Sequence, residues 1–361
     1  MRKSVVIITL LVTLQSALPP AAIHAQGGDD LPPAVHLTGL RHEFQTWCNC
    51  GPVNLMMALS YYGWQGDQTV TAAALKPIVQ DKNVSPYEMV DYVNGQKPVP
   101  DLLALYRYGG DLALLKRLVA AGFPVIVESG FQPEGHEWMG HYITVVGYDD
   151  ATAMFWTYDS YDGYNQTTSY ADFDAMWRHF NHIFILLYPK AREQEVHNLL
   201  GPLVDDGTAA GQTAQTAEAE IASGQDDVWT WFNLGTAHVA LKNYENAVQA
   251  YERAFEFEPP FRLLWYQFGP FEAYYHTGRY FEVLQLVATV EQDTAELEEL
   301  NYWRGMALAA LDQPEAALAA FDAALVFNPH TRPVKEARLM LTTGTLEAPA
   351  PLHVQAAPYL P

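Results

Sequence analysis

Gln45-Thr46-Trp47-Cys48-Asn49-Cys50-Gly51-Pro52 is the stretch on which the reading of this chain turns. Directly after it, Val53, Met56, Met57, Leu59 and Ser60 recur at helical spacing, so a helix is expected from Gly51 to Tyr62. Pro52 suits a helix start, where its missing N–H costs nothing. Cys50 then stands at a helix N-terminus, where unpaired amides and the macrodipole favour a thiolate. Such a nucleophile needs a proton acceptor, and the acceptor needs an orienting partner. His141 opens a β-branched segment running through Tyr142 to Tyr148, and Asp159 follows the next one, Met154 to Tyr158. Adjacent antiparallel strands would bring the end of the second near the start of the first. Gln45 offers a side-chain amide that, with the Cys50 N–H, could receive an oxyanion.

The surrounding pattern is helices first and strands later. A second helix is expected over Thr69 to Val79. A third starts at the capping box Ser85-Pro86-Tyr87-Glu88, and a fourth runs from Asp111 to Ala121, closed by Gly122. Four strand segments follow, at 124–128, 142–148, 154–158 and 182–188, each bounded by Gly, Asp or Pro. This order predicts an α+β domain over residues 36–190, with helices packed on an antiparallel sheet.

These residues resemble the papain-like cysteine peptidases, and within them the bacteriocin-processing (double-glycine leader) peptidase family and its secreted relatives. The matching pieces are Gln45, Asn49-Cys50-Gly51-Pro52, Ser60-Tyr61-Tyr62-Gly63, Gly122-x-Pro124-Val125-Ile126-Val127, His141-Tyr142 with Val146-Gly147-Tyr148-Asp149, and Asp159. The resemblance implies Cys50 as nucleophile, His141 as general base and acid, Asp159 as its orienter, and Gln45 in the oxyanion hole. Cys48 is read as a non-catalytic neighbour. His136-Glu137-x-x-x-His141 is not read as a zinc helix, because histidines five apart diverge on a helix. No metal and no cofactor are expected.

Beyond residue 207 the sequence repeats. Gly235, Ala247, Tyr251, Ala254 and Pro259 recur seventy positions later as Gly305, Ala317, Phe321, Ala324 and Pro329. That offset is about twice the 34-residue period of the tetratricopeptide repeat, which Trp231-x-x-Leu234-Gly235 also resembles. An all-α helical-repeat domain is expected over 208–345, with Trp229, Trp231, Trp265 and Trp303 mostly in its core and a concave groove for a protein partner.

The chain has 361 residues with 42 acidic and 20 basic side chains, a formal charge of −22. That balance argues against nucleic acid and against docking on an anionic membrane. Met1-Arg2-Lys3, the apolar run through Val12 and the small residues before Gln26 read as a signal peptide over 1–25, leaving no membrane span after cleavage and a secreted or cell-envelope protein. Residues 26–35 read as a flexible lead, 191–207 as a linker and 346–361 as a disordered, Pro-rich tail. The expectation is a secreted cysteine peptidase acting on a peptide or protein. Two alternatives stand beside it: a non-catalytic peptide-binding adaptor, and a cell-wall peptide amidase or transpeptidase on the same framework.

Overall fold

Strand β1 (Ala34–His36) opens the chain as described by the computed structural model, which covers residues 31–347. The expected signal peptide at 1–25 and most of the Pro-rich tail lie outside the described residues. The flexible lead expected at 26–35 is corrected at its end, because β1 pairs antiparallel with Gly147–Asp149.

The N-terminal domain is a mixed sandwich. Helices α1 (Cys50–Tyr61), α2 (Gln68–Leu75) and α3 (Pro86–Gln96) come first, then β2 (Leu102–Arg107) and α4 (Leu112–Ala120). Strands β3 (Val125–Phe131), β4 (Met139–Asp149), β5 (Met154–Asp159) and β6 (Gly163–Ser169) follow as a meander, then α5 (Tyr170–Trp177) and β7 (Phe184–Pro189). All pairings are antiparallel, in the order β2-β7-β3-β4-β5-β6, with β1 also on β4. Alternation along β7 places Ile185 and Leu187 with Leu55 and Leu59 of α1, and Phe184 and Leu186 with Leu115 and Leu118 of α4. The sheet is thus buried on both faces.

Several elements differ from expectation. Helix α2 stops at Leu75 rather than Val79, two residues before Pro77, whose ring disfavours a helical residue in front of it. Strand β6 (Gly-Tyr-Asn-Gln-Thr-Thr-Ser) is mostly exposed at the sheet edge and carries no apolar alternation. Helix α5 announces itself only through Ser169, whose hydroxyl accepts from the Asp172 amide. The segment expected as a linker is instead structured: helix α6 (Glu193–Leu200) buries Val196 and Leu200, and Leu203 follows them into the core. Arg107 anchors that turn by donating to the Leu203 and Val204 carbonyls.

Helical hairpins complete the chain. Helix α7 (Asp206–Ala222) packs on α8 (Val228–Ala240), which pairs with α9 (Tyr244–Phe255). Then come α10 (Gly269–His276) with α11 (Tyr280–Val290), α12 (Glu298–Ala310) with α13 (Pro314–Phe327), and α14 (Arg332–Thr343). The seventy-residue echo has a packing cause. A Cβ on Gly235 would lie 2.6 Å from the Tyr251 ring, and one on Gly305 2.5 Å from the Phe321 ring. Each glycine lets an aromatic side chain of the second helix sit against the backbone of the first.

The two domains share one core, and the chain from Pro32 onward is a single compact unit. Trp138, Phe180 and Ile183 of the first domain lie in the same apolar cluster as Phe232, Tyr251 and Phe271 of the repeats. Trp229, expected in the repeat core, packs against this cluster and also stacks on His179 with ring centroids 3.7 Å apart. Arg178 pairs with Glu220 and Asp227, and Asn181 and Asn233 each donate to a backbone carbonyl across the junction.

Glycine packing is directly testable by urea denaturation. Gly305→Val should overpack the Phe321 contact and cost about 1–3 kcal/mol. Gly211→Ala, within α7 where an added Cβ meets nothing within 4 Å, should stabilise by about 0.5–1 kcal/mol.

Candidate active site

Cys50 is the first residue of α1, and Asn49 caps the helix without a side-chain hydrogen bond. The loop before it is held from outside. Gln68 of α2 accepts from the Thr46 amide at 3.0 Å and from Asn49 Nδ2 at 2.8 Å, and donates to the Phe44 carbonyl at 2.8 Å. Cys48 takes a left-handed backbone, φ 47°, which turns the chain into the helix. Gly51 is needed next, since a Cβ there would come 3.1 Å from Val84 Cβ. Both thiols are free and half-buried.

Strand register brings the acid and the base together. Ile143 of β4 lies opposite Asp159 of β5, so Asp159 is the diagonal neighbour of His141. His141 Nε2 lies 2.8 Å from Asp159 Oδ1. The same oxygen accepts from the amides of Tyr161 at 2.6 Å and Asp162 at 3.1 Å, so the carboxylate is fixed by the turn that ends β5. Phe131 stacks on the imidazole at 4.6 Å and covers it; His141 is 3 % exposed. With Nε2 committed to Asp159, the other ring nitrogen is free for Cys50.

The electrostatics follow from this arrangement. Burial pushes the Cys50 thiol up, but hydrogen bonding to His141, its charge, and the amides of Tyr142 and Gly51 outweigh burial and bring it below the ordinary thiol value. Burial disfavours the His141 cation, yet the charge and hydrogen bond of Asp159, with the Cys50 thiolate, push it up to about 10. Asp159 loses by burial and gains more from His141 and the two amides, so it stays below the usual carboxylate range. The combination favours a thiolate–imidazolium pair over a neutral thiol and imidazole. Glu128, on β3 opposite Tyr142, is held well above the usual carboxylate range by burial, which disfavours a second negative charge beside Cys50. Cys48 is the opposite case: burial and the Cys50 charge raise it, and Lys76 and Lys82 offset only part of this.

Gln45 is tied to the same corner. Its amide N–H donates to the Ser160 carbonyl at 2.8 Å, and Ser160 Oγ donates to Gln45 Oε1 at 2.7 Å, which leaves the side-chain NH2 as the group's open donor. The sequence reading missed two residues here. Asn54 Nδ2 donates to the Tyr142 carbonyl at 2.6 Å and to the Cys50 carbonyl at 2.9 Å, while its Oδ1 accepts from Thr144 Oγ1 at 2.8 Å. Ser160 connects that amide to Gln45. A polar residue in the middle of an apolar helical run was the available signal. His136, by contrast, is exposed in the bend before β4 and belongs to no helix.

Residues 32–184 match the family model described as Peptidase_C39 like family, and residues 228–261 match that of the tetratricopeptide repeat. The first match is confined to the α+β domain and the second to one helical hairpin, α8 with α9. Among solved structures, a C39-like peptidase from Bacillus anthracis is similar at 16 % identity and a TM-score of 0.35, covering 43 % of this chain and 97 % of its own. A double glycine motif protease from an AMS/PCAT transporter, in complex with the leader peptide, is similar at 17 % identity and a TM-score of 0.31, covering 46 % and 96 %. No curated protein matches the chain.

Thiol reactivity separates the two cysteines of the C39-like domain. Below pH 8, iodoacetamide should modify Cys50 well before Cys48, as mapped by peptide mass. His141→Ala should remove that preference by returning Cys50 towards an ordinary thiol; equal labelling of both cysteines in the unaltered protein would contradict the ion pair.

Proposed function

We propose that this protein is an extracytoplasmic cysteine peptidase that cleaves peptide bonds with Cys50, His141, Asp159 and Gln45, and that its repeats hold substrate or partner. One observation carries the reading: a single buried imidazole held by Asp159 at Nε2, 2.8 Å away, whose charge also reaches the Cys50 thiol. A buried ion pair of that kind has little structural value and a direct chemical use.

The Cys50 thiolate attacks the substrate carbonyl carbon, forming a C–S bond and moving the carbonyl electron pair onto oxygen. The Cys50 amide and the Gln45 side chain receive the oxyanion. As the intermediate collapses, the C–N bond breaks and the His141 imidazolium gives its proton to the leaving amine. Neutral His141 then takes a proton from water, whose oxygen attacks the thioester. Collapse of that intermediate releases the carboxylic acid and restores the thiolate with the imidazolium. Asp159 holds the imidazole in one orientation through both steps.

Glu128, buried beside Cys50 and His141, also lines a cleft that none of Cys50, His141, Asp159 and Gln45 lines. This cleft of about 700 Å³ runs from Glu128 and Tyr108 of the peptidase domain to Tyr275 and Trp303 of the repeats. Glu272 on its wall is pushed up to about 7 by burial. In this reading a peptide segment lies in the cleft, and the repeats contribute binding rather than chemistry. The basic, apolar and small-residue order of residues 1–25 supports export.

Two measurements test the proposal. In a peptide-library digest, Cys50→Ala and His141→Ala should abolish turnover to a similar degree. Asp159→Asn should cost less, and Gln45→Ala should slow turnover roughly 10²–10³-fold while Cys50 still labels. Absence of turnover in the unaltered protein would return the adaptor reading, and turnover that survives Cys50→Ala would place the chemistry elsewhere. N-terminal sequencing of exported protein should begin near Gln26, and a retained Met1 would argue for an anchor instead.

A further inference from the structure

Four carboxylic acids meet where the peptidase domain docks on the repeats. Asp81 lies in the loop after α2, Glu88 in the first turn of α3, and Glu298 and Glu299 open α12. Their exposures are 0 %, 6 %, 1 % and 7 %. One oxygen each from Glu88, Glu298 and Glu299 lies within 4.8 Å of the others.

Their hydrogen bonds are incomplete. Glu88 accepts from the Ser85 amide at 2.8 Å and from Asn328 Nδ2 at 2.7 Å, and the same amide reaches Glu298 Oε1 at 3.1 Å. Glu299 Oε1 accepts from Asn83 Nδ2 at 2.7 Å and Ser85 Oγ at 3.0 Å. Asp81 Oδ1 accepts from the Asn83 amide at 3.2 Å. Asp81 Oδ2, Glu298 Oε2 and Glu299 Oε2 are buried and receive no donor from the protein, although Asp81 and Glu298 lie close enough to share a proton. Among the described residues, none of the four acids forms an ion pair with Lys or Arg. Lys82 pairs with Glu296, and Lys76 Nζ donates to the carbonyls of Trp47, Val79 and Asp81. Orphaned carboxylate oxygens at this depth are costly, and four acids in one place multiply that cost.

We propose that Glu88, Glu298 and Glu299, with Asp81 at their edge, form a structural calcium site that locks the peptidase domain to the repeats. The donor set is oxygen only, with no imidazole or thiolate, which suits a hard cation and not zinc. Several carboxylates in an irregular cage suit calcium, which takes six to eight oxygens, better than magnesium, which keeps several waters in an octahedron. Burial and mutual repulsion hold Glu88 and Glu298 well above the usual carboxylate range, so calcium would displace protons there.

The site has a mechanical consequence for the nucleophile. The loop it pins carries Val84, which packs against Gly51 and whose carbonyl accepts from Tyr142 Oη at 3.0 Å. Lys76 joins the Asp81 carbonyl to that of Trp47. Calcium bound by the four acids therefore braces the start of α1, whatever chemistry Cys50 performs.

The test uses the full-length protein stripped with EDTA and titrated with calcium chloride at mildly alkaline pH. Calorimetry should give one calcium per chain, with proton release, and melting should rise by several degrees at millimolar calcium. Glu298→Gln combined with Glu299→Gln should abolish both signals while melting no lower than the stripped unaltered protein. Absence of heat and of any melting shift in the unaltered protein overturns the site, leaving the acids held by protons alone. A calcium response that persists in the double variant overturns its location. An equal response to magnesium overturns the choice of cation.

Discussion

Asn54 is the constraint on which the site geometry rests. Its side chain is fully buried in α1 and joins four backbone or side-chain groups, on α1, β4 and the turn after β5. Donation to the Tyr142 carbonyl fixes the depth of α1 against β4, and donation to the Cys50 carbonyl fixes where the first turn sits. Thr144 satisfies the remaining oxygen. Apolar packing alone tolerates small slides, because dispersion has little direction. A buried amide with every bond made does not, since any slide strands a donor in low dielectric. Cys50 carries one of these anchors and His141 directly precedes the other, so their alignment inherits the precision of that one amide.

A second constraint comes from the repeats. Tyr266 and Phe180 pack so closely on Gly140 that an added Cβ would lie 3.0 Å and 2.7 Å from their rings. Gly140 immediately precedes His141. Across the same junction, Arg178 and His179 are fixed by Asp227 and Trp229. The strand that carries the base is therefore shaped partly by the helical domain, which makes the repeats a structural part of the site as well as an appended surface.

How much of this was legible depends on where each interaction partner lies in sequence. The helix beginning at Cys50 could be read from its own periodicity and from Gly-Pro, and β3, β4, β5 and β7 from β-branched runs. His141 and Asp159 came to notice because strand ends are informative even without a register. Asn54 did not, because its partners at Tyr142 and Thr144 are about ninety residues away. Strand β6 was invisible for want of an apolar face. Glu298 and Glu299 look like ordinary acids at a helix N-terminus, where solvent and the macrodipole would welcome them; only the docking of Asp81 and Glu88 turns them inward. The expected linker failed for a related reason: Val196 and Leu200 have a place to go only once α4 is in position.

Strand β7 closes the sheet from an unusual place in the chain. It is the last strand in sequence, yet it lies between β2 and β3. During vectorial synthesis, β2 is complete at Arg107 and β3 at Phe131, but the slot between them stays open until Pro189 has emerged. Through that interval the nascent chain exposes two apolar strand edges facing one gap, each a template for pairing with another chain. The sheet therefore has a late keystone: until β7 is in place, the facing edges of β2 and β3 have no partner between them.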